Sequence, residues 1–538
     1  MLGNLGFLDY AVILGYLAAM LGLGVAWSRQ RKTDDEYFLA GRSMPWFAVG
    51  VSVIASLLSS LTYLAEPGEV WESGATNMVG KMLAIPLELV VVWLFCVPFM
   101  MSFRYTSAYE YLGDRFGKAT RWVGVGMFLC LAVLWMGFVV LASAKALAIV
   151  SGVPLWLVIV TIGFVATMYT MLGGLRAVIW TDVVQVAILI GGGFMAISYV
   201  AWSTGTWLPD WYAATSEHLL RNNIKPMPLI TFDPTVRATV ATVALNMTVW
   251  HICTHLANQM TVQRYFSTHD PKSARRSFLT ATLFGVGINV MLLVVGMAML
   301  FYYQGQQPMT EVDGKTTILN PDLIFPTFAV AALPAGCGGA ILAALLAAAM
   351  SSIDSGVNSI ATVLSVEMRL HEQEKGKKAA SLDQHHVKLA MTITLLAGIF
   401  ITAAAYGLTF LPDDWGIVAA MPRTFNAFTG PLGGLFMVGM FLPFVGQRGV
   451  IAGVACGLAT SLGLGYSEQI QQQLVNFQLL EQIQGVVSFH LVMPTALAVT
   501  VGASALFGGL LRDSVRPMAG LTWYTRRKPG DKDQAKRG

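Results

Sequence analysis

Charge is what this sequence has least of. Asp, Glu, Lys and Arg make up 12% of its 538 residues, against roughly 25% in soluble domains. So few charges cannot cover a water-facing surface of that size, which argues against a cytosolic enzyme, a nucleic-acid binder and a disordered scaffold. Cysteine is sparse as well. Cys96, Cys130, Cys253, Cys337 and Cys456 stand singly in apolar runs with no CxxC pair, so they read as small hydrophobes and not as a disulfide framework or zinc site. Alternating apolar and polar segments are missing, which argues against an outer-membrane barrel. No basic segment precedes the first apolar run, and no small-residue cleavage site lies before Thr33-Asp34-Asp35-Glu36; the run reads as an uncleaved helix. Two catalytic-looking fragments are incomplete. Gly314-Lys315-Thr316-Thr317 would need a glycine where Met309 stands to end a phosphate-binding loop, and His251 and His255 lack the adjacent Glu of a zinc-protease HExxH.

What is present is long apolar sequence: 55% of residues are hydrophobic and the mean hydropathy is +0.62. About 20 apolar residues cross a bilayer as a helix. Thirteen such stretches are legible, at 7–27, 45–66, 76–102, 122–150, 154–172, 176–204, 237–262, 276–303, 334–368, 387–410, 416–444, 448–466 and 486–511. Basic residues alternate between the connections. Arg29, Arg31, Lys32 and Arg42 follow the first stretch; Arg104, Arg115, Lys118 and Arg121 the third; Arg264, Lys272, Arg275 and Arg276 the seventh; Arg369, Lys375, Lys377, Lys378 and Lys388 the ninth; and Arg512, Arg516 and the tail from Arg526 the last. The connections 66–76, 150–154, 410–416 and 466–486 carry no Lys or Arg. By the positive-inside rule the N-terminus is expected outside and the C-terminus in the cytoplasm. The loops 205–236 and 304–325 are then external, the first partly helical, and the basic tail is expected to be disordered.

A few polar residues sit at bilayer depth, where they are costly and mark function or pairing: Lys81, Glu88, Lys145, Asp182, Asp354, Arg423, His251 and His255. Lys81 and Glu88, seven apart, can neutralise each other on one helix face; Lys145 and Arg423 can snorkel. Asp182 and Asp354 lie among hydroxyls, Thr181-Asp182 and Ser351-Ser352-Ile353-Asp354-Ser355, a hard-oxygen set suited to an alkali cation. Ala55-Ser56-Leu57-Leu58-Ser59-Ser60-Leu61-Thr62 weakens the centre of its helix, because hydroxyls compete for backbone bonds. It is expected to unwind as transporter helices do around ions and substrates; the alternative is that the hydroxyls bond back to preceding carbonyls.

These residues resemble the sodium:solute symporter family from Leu5 to about Gly509. The likeness rests on Asp9-Tyr10-Ala11-Val12, on 35–46 (DEYFLAGRSMPW), on 106–112 (TSAYEYL), on 173–185 (GGLRAVIWTDVVQ), on Val262-Gln263-Arg264-Tyr265 and on Ala349-Met350-Ser351-Ser352. The resemblance implies an all-α polytopic membrane protein of thirteen transmembrane helices, with a leucine-transporter-like five-plus-five inverted repeat and broken helices. The parts would be a peripheral first helix (1–30), the repeats 44–204 and 237–444, two peripheral helices (448–511) and a cytoplasmic tail (512–538). It implies a Na⁺-coupled symporter of the cell membrane, with a small organic solute and the lipid bilayer as partners and no nucleic acid. Carried over by motif, a first sodium site would use Ala55, Leu58, Ala348, Ser351 and Ser352. A second would use Asp182, Ser351, Asp354 and Ser355, with Asp354 standing where sialic-acid transporters have a hydroxyl. Substrate contacts would come from Ser59, Ser60, Thr62, Lys81, Phe138, His251, Thr254, His255 and Asn426. Phe138 replaces the arginine that holds the sialic-acid carboxylate, while Pro67-Gly68-Glu69-Val70-Trp71 looks like the monocarboxylate, vitamin and iodide branch. Lys81, Lys145, Arg423 and the histidines give the expected cavity a basic bias, favouring a carboxylate or sugar-derived anion, since a buried cation without a partner is costly; a neutral sugar or polyol is the alternative. A non-transporting membrane sensor is the rival class, and the short tail argues against it.

Overall fold

An apolar stretch in lipid has one way to satisfy its backbone within itself, the α-helix, and every apolar stretch of this sequence falls on helix in the computed structural model. The structure describes residues 5–28, 33–305, 309–312, 315–318, 321–375, 383–410, 417–477, 479, 482, 485–511 and 520–525. Arg29, Arg31, Lys32, Gly314, Lys377, Lys378, the connection 411–416, Arg512, Arg516 and the tail from Arg526 lie outside them.

The first helices are α1 (Phe7–Trp27), α2 (Asp34–Leu39), α3 (Trp46–Leu57), α4 (Ser60–Ser73), α5 (Thr76–Val91), α6 (Val97–Met100), α7 (Glu110–Arg115), α8 (Lys118–Ser151), α9 (Leu155–Thr204) and α10 (Leu208–Arg221). Next come α11 (Val240–Ala257), α12 (Gln259–Phe266), α13 (Pro271–Tyr302) and an antiparallel hairpin, β1 (Met309–Val312) with β2 (Lys315–Ile318). The later helices are α14 (Ile324–Ala331), α15 (Cys337–Glu374), α16 (Asp383–Gly407), α17 (Ile417–Phe441), α18 (Gln447–Gly465), α19 (Ser467–Asn476) and α20 (Phe489–Leu510). Among the described residues, ten helices are long and apolar enough to cross a membrane, or eleven if the pair Asp34–Arg42 and Trp46–Leu57, bent by 110°, is one span. The expected count of thirteen differs for local reasons. Stretches five and six share the 50-residue α9, stretch two is divided between the shorter α3 and α4, and stretch eleven begins outside the described residues.

The breaks have chemical causes. In α9, Gly174 adopts φ 62° and ψ −163°, and a Cβ there would come within 2.6 Å of the Tyr37 carbonyl. Only glycine gives that conformation with that approach, and Tyr37 on α2 donates its hydroxyl to the Met171 carbonyl at 3.2 Å beside it. Helix α15 lies at the centre, packed on α9, α16, α8 and α1. Its run Ala343–Ala349 is buried and five of its seven residues are alanine, which lets neighbouring helices approach closely, the main source of packing between helices in lipid. Gly449, Gly453 and Gly457, each about one turn from the next, form a stripe on α18 that meets α20; a Cβ on Gly449 would lie 2.7 Å from Gly508 Cα. Cys96 and Cys253 are buried as expected, whereas Cys130 is exposed on the outside of the helical body.

Two arginines that read as loop charges are buried. Arg115 donates Nε to the Gly439 carbonyl (3.2 Å) and Nη2 to Leu442 (3.0 Å) and Pro443 (3.2 Å), closing the carbonyl end of α17, where a cation also meets the helix dipole. Arg264 is the second.

Asp9 ties α1 to α15, accepting from the amides of Gly6 (2.9 Å), Gly336 (2.9 Å) and Gly339 (2.7 Å) at the amino ends of the two helices. Asp9→Ala would leave buried amides without an acceptor and is expected to cost about 3 kcal/mol, read as a lowered Tm of the full chain in detergent. An unchanged Tm would show that α1 is not anchored through this carboxylate.

Candidate functional site

Helix α3 ends because Leu58 turns to φ −91° and ψ 94°, and α4 begins again from an extended Ser59. The break falls inside the hydroxyl-rich segment singled out in the sequence. It exposes the last carbonyls of α3 at mid-molecule, where α15 supplies hydroxyls. Ser351 Oγ lies 3.1 Å from both the Ala55 and the Ala348 carbonyl oxygens, and Ser352 Oγ is 3.3 Å from the latter. A cavity of about 10 Å³ lies here, lined in part by Ala55, Leu58, Ala348 and Ser351. That is near the least space that holds one water-sized particle. Ser352 is buried and does not line it. Most of the cavity wall is apolar, from Ile54, Val186, Leu189 and Ile288, and the neutral carbonyl and hydroxyl oxygens at its edge are of the kind that a monovalent hard cation takes.

One helical turn further along α15 the expected second cluster also assembles, around a group the sequence reading assigned to a loop. Arg264 of α12 has 1% of its side chain exposed. It places Nη2 at 3.0 Å from Asp182 Oδ2 and donates to Ser52 Oγ (2.6 Å), the Met260 carbonyl (2.7 Å) and Ser355 Oγ (2.5 Å). Ser52 in turn donates to Asp182 at 2.5 Å. Asp354 accepts from Tyr169 at 2.6 Å and from Ser355 at 3.1 Å. Asp182 Oδ1 and Gln185 Oε1 are buried without a hydrogen-bond partner. Asp182, Ser351, Asp354 and Ser355 are therefore neighbours in one polar layer, with Arg264 inserted among them.

The larger cavity, about 340 Å³, opens on the other side of the same break, and Ile54 and Leu58 line both spaces. Its volume is in the range of small-molecule sites, roughly 300–1,000 Å³. Of the nine expected substrate contacts, Ser59, Thr62, Lys81, His251, His255 and Asn426 line it. Three do not. Ser60 turns away to meet the Ser143 hydroxyl of α8 at 2.5 Å. Phe138 packs with Val139 against Leu61, Trp135 and Leu408. Thr254 is buried and does not line the opening.

The expected basic bias is also absent. Lys81 forms an ion pair with Glu66, not with Glu88. Glu88 accepts from Thr282 at 3.2 Å and faces His251 Nε2 at 3.2 Å. Arg423 pairs with Glu468 at 2.8 Å, and neither it nor Lys145 lines the cavity. Sequence reasoning missed Glu66, which stands at the edge of its apolar stretch. It also missed the wall of Trp135, Trp250 and Phe425, whose spacing in the chain is that of ordinary membrane-facing aromatics; the Trp135 and Phe425 rings lie 4.5 Å apart.

A model of the sodium:solute symporter family matches residues 37–457. The chain is 31% identical over 476 residues to the sodium/sialic acid symporter SiaT of Proteus mirabilis (strain HI4320), covering 87% of this chain and 92% of that one. It is 30% identical over 469 residues to the human sodium-coupled monocarboxylate transporter 2, covering 85% of this chain and 72% of that one. The solved structure of a Na⁺-coupled sialic acid symporter in a substrate-bound outward-open state superposes with a TM-score of 0.79 at 28% identity, over 94% of this chain and 98% of that one.

Replacing Arg264 by Met leaves Asp182 buried and uncompensated, so Arg264→Met is expected to destabilise the protein by about 3–5 kcal/mol. Combination with Asp182→Asn should recover much of that loss. Thermal unfolding of both variants in detergent checks it, and a double variant no more stable than Arg264→Met would refute the pairing.

Proposed function

The chain belongs to the sodium:solute symporter family, and from that premise we propose that it is a Na⁺-coupled secondary active symporter that moves a small organic solute across a cell membrane by alternating access. It is a membrane transporter and not an enzyme, as its family and relatives are. The observation that carries the reading is the break at Leu58–Ser59, which presents backbone to an ion-sized space on one side and a solute-sized cavity on the other. In this reading Ala55, Leu58, Ala348, Ser351 and Ser352 hold the first sodium ion. The second cation belongs with Asp182, Ser351, Asp354 and Ser355. Two fully buried carboxylates lie there with one guanidinium, which pairs with Asp182 and not with Asp354, and the surplus negative charge calls for a cation or a proton.

The remaining architecture is proposed with it: thirteen crossings, the repeats 44–204 and 237–444 related by inversion, peripheral segments 1–30 and 448–511, a cytoplasmic tail 512–538 and an external N-terminus. The second repeat's counterpart of the Leu58 break is Asn258, at φ −83° and ψ 118° between α11 and α12, with its side chain accepting from the Met260 amide at 3.0 Å. Breaks of this kind at both positions support the inverted pairing. Sialic acid and monocarboxylates, carried by relatives, support an organic acid as solute; a neutral sugar or polyol suits a lining without a free cation.

Reconstituted in liposomes, the full chain should accumulate its solute when an inward Na⁺ gradient is imposed, and not when K⁺ replaces Na⁺. A solute sensor of the same fold would bind without accumulation, and that result would overturn the reading. Ser351→Ala and Asp182→Asn should each raise the half-saturating Na⁺ concentration by about tenfold; unchanged sodium dependence of Asp182→Asn, or a flux ratio of one Na⁺ per solute, would remove the second cation site.

A further inference from the structure

The polar atoms of the 340 Å³ cavity are unevenly spent. Several of its donors are engaged within the protein, although the Nδ1 atoms of His251 and His490, which also line it, have no partner. The Lys81 ammonium is held by Glu66, Asn289 Nδ2 donates to the Gly285 carbonyl at 2.8 Å, and Asn426 Nδ2 donates to the Phe489 carbonyl at 3.2 Å. Two of the cavity's acceptor atoms have no partner. Glu88 Oε2 is buried with no hydrogen bond, although His251 lies beside it, and Asn246 Oδ1 is buried with none either. Glu88 is 2% exposed. Buried acceptors left unmade carry a desolvation cost that a ligand donor would relieve.

Charge points the same way. Two carboxylates, Glu66 and Glu88, face the cavity with one ammonium, Lys81, and the rings of His251, His255 and His490. The acidic face continues along α4, where Glu69 and Glu72 share the single guanidinium of Arg237 at 3.6 and 3.4 Å. The wall next to Glu88 is aromatic: the Trp250 ring lies 4.6 Å from His251, which faces Glu88, and 6.4 Å from Phe425. Aromatic faces beside a carboxylate favour a cation, and the more so where water is excluded.

We propose that the solute carried by this cavity bears a cationic nitrogen donor, an ammonium or amidinium-like group on a small partly apolar body, seated against Glu88 and the Trp250 face. The inference rests on the symporter reading, whose cavity it specifies. It sets this chain apart from anion carriers of similar fold, because an anion here would meet two carboxylates and find its only ammonium already paired. An anion would have to displace Glu66 from Lys81 and leave that carboxylate unpaired in a buried site, which costs more than a surface ion pair returns.

The test uses the purified full chain in lipid nanodiscs with and without Na⁺. The probes are three matched sets of small solutes, each an ammonium, its alcohol and its carboxylate on one skeleton: phenethyl, cyclohexylmethyl and butyl. Binding is read by thermal shift and by tryptophan fluorescence, since Trp135 and Trp250 line the cavity. In Na⁺ the ammonium member of at least one set should give the largest shift. Glu88→Gln should weaken that binding by about tenfold or more while keeping the stabilisation by Na⁺ alone, which shows that the variant is folded. Glu66→Gln should raise the response to carboxylates by freeing Lys81. If in no set the ammonium exceeds its carboxylate partner, or if Glu88→Gln binds it unchanged while still stabilised by Na⁺, the cationic class is overturned. Stabilisation by Na⁺ alone would then leave the symporter reading standing, whereas no response of the wild-type chain to Na⁺ would count against that reading itself.

Discussion

A bilayer gives the backbone nothing to bond to, so any residue that leaves the helical ladder must find partners inside the protein. The arrangement around Leu58 and Ser59 follows from that requirement. Once α3 stops, its last carbonyls need donors. Ser351, on the buried face of α15, reaches the Ala55 and Ala348 carbonyls at once. The small residues of α15 are what let it come that close. The ion-sized space and the larger cavity are the two sides of this one interruption, since Ile54 and Leu58 face both.

The scarcity of charge has a second side. Nearly every ionic group at depth has been matched with another, or with carbonyls: Arg264 with Asp182, Lys81 with Glu66, Arg115 with the end of α17. Such pairs add little net stability compared with apolar packing, but each is expensive to break. Their value in this fold is positional. Where the matching is left incomplete, at Asp354 and at Glu88, the surplus is negative in both places. The two places coincide with the polar layer and with the cavity.

Much of this was readable in one dimension. The apolar stretches gave the helices, the hydroxyls of 55–62 placed the break to within a residue or two, and both carboxylates of the polar layer stood out. What escaped was pairing over long separations. Arg264 and Arg115 lie in short segments next to apolar runs, which is where topology-setting loop charges also lie, and nothing local distinguishes a buried arginine from those. Their partners are 82 and more than 300 residues away. Helical periodicity allows Lys81 to meet Glu88, but Glu66 across the bend between α4 and α5 is the partner it takes. Phe138 was placed by position in a family, while its side chain followed the packing of its own helix.

The pairing of Asp182 with Arg264 also bears on how the chain is made. Helices enter a membrane in the order of synthesis, and Asp182 precedes its guanidinium by 82 residues. Until α12 has been produced, the centre of α9 carries a carboxylate with no counterion. Stable insertion of that helix must wait for the second half of the protein, or proceed with Asp182 sheltered in the insertion machinery. A truncation before residue 264 would therefore be a poor membrane protein, however apolar its sequence.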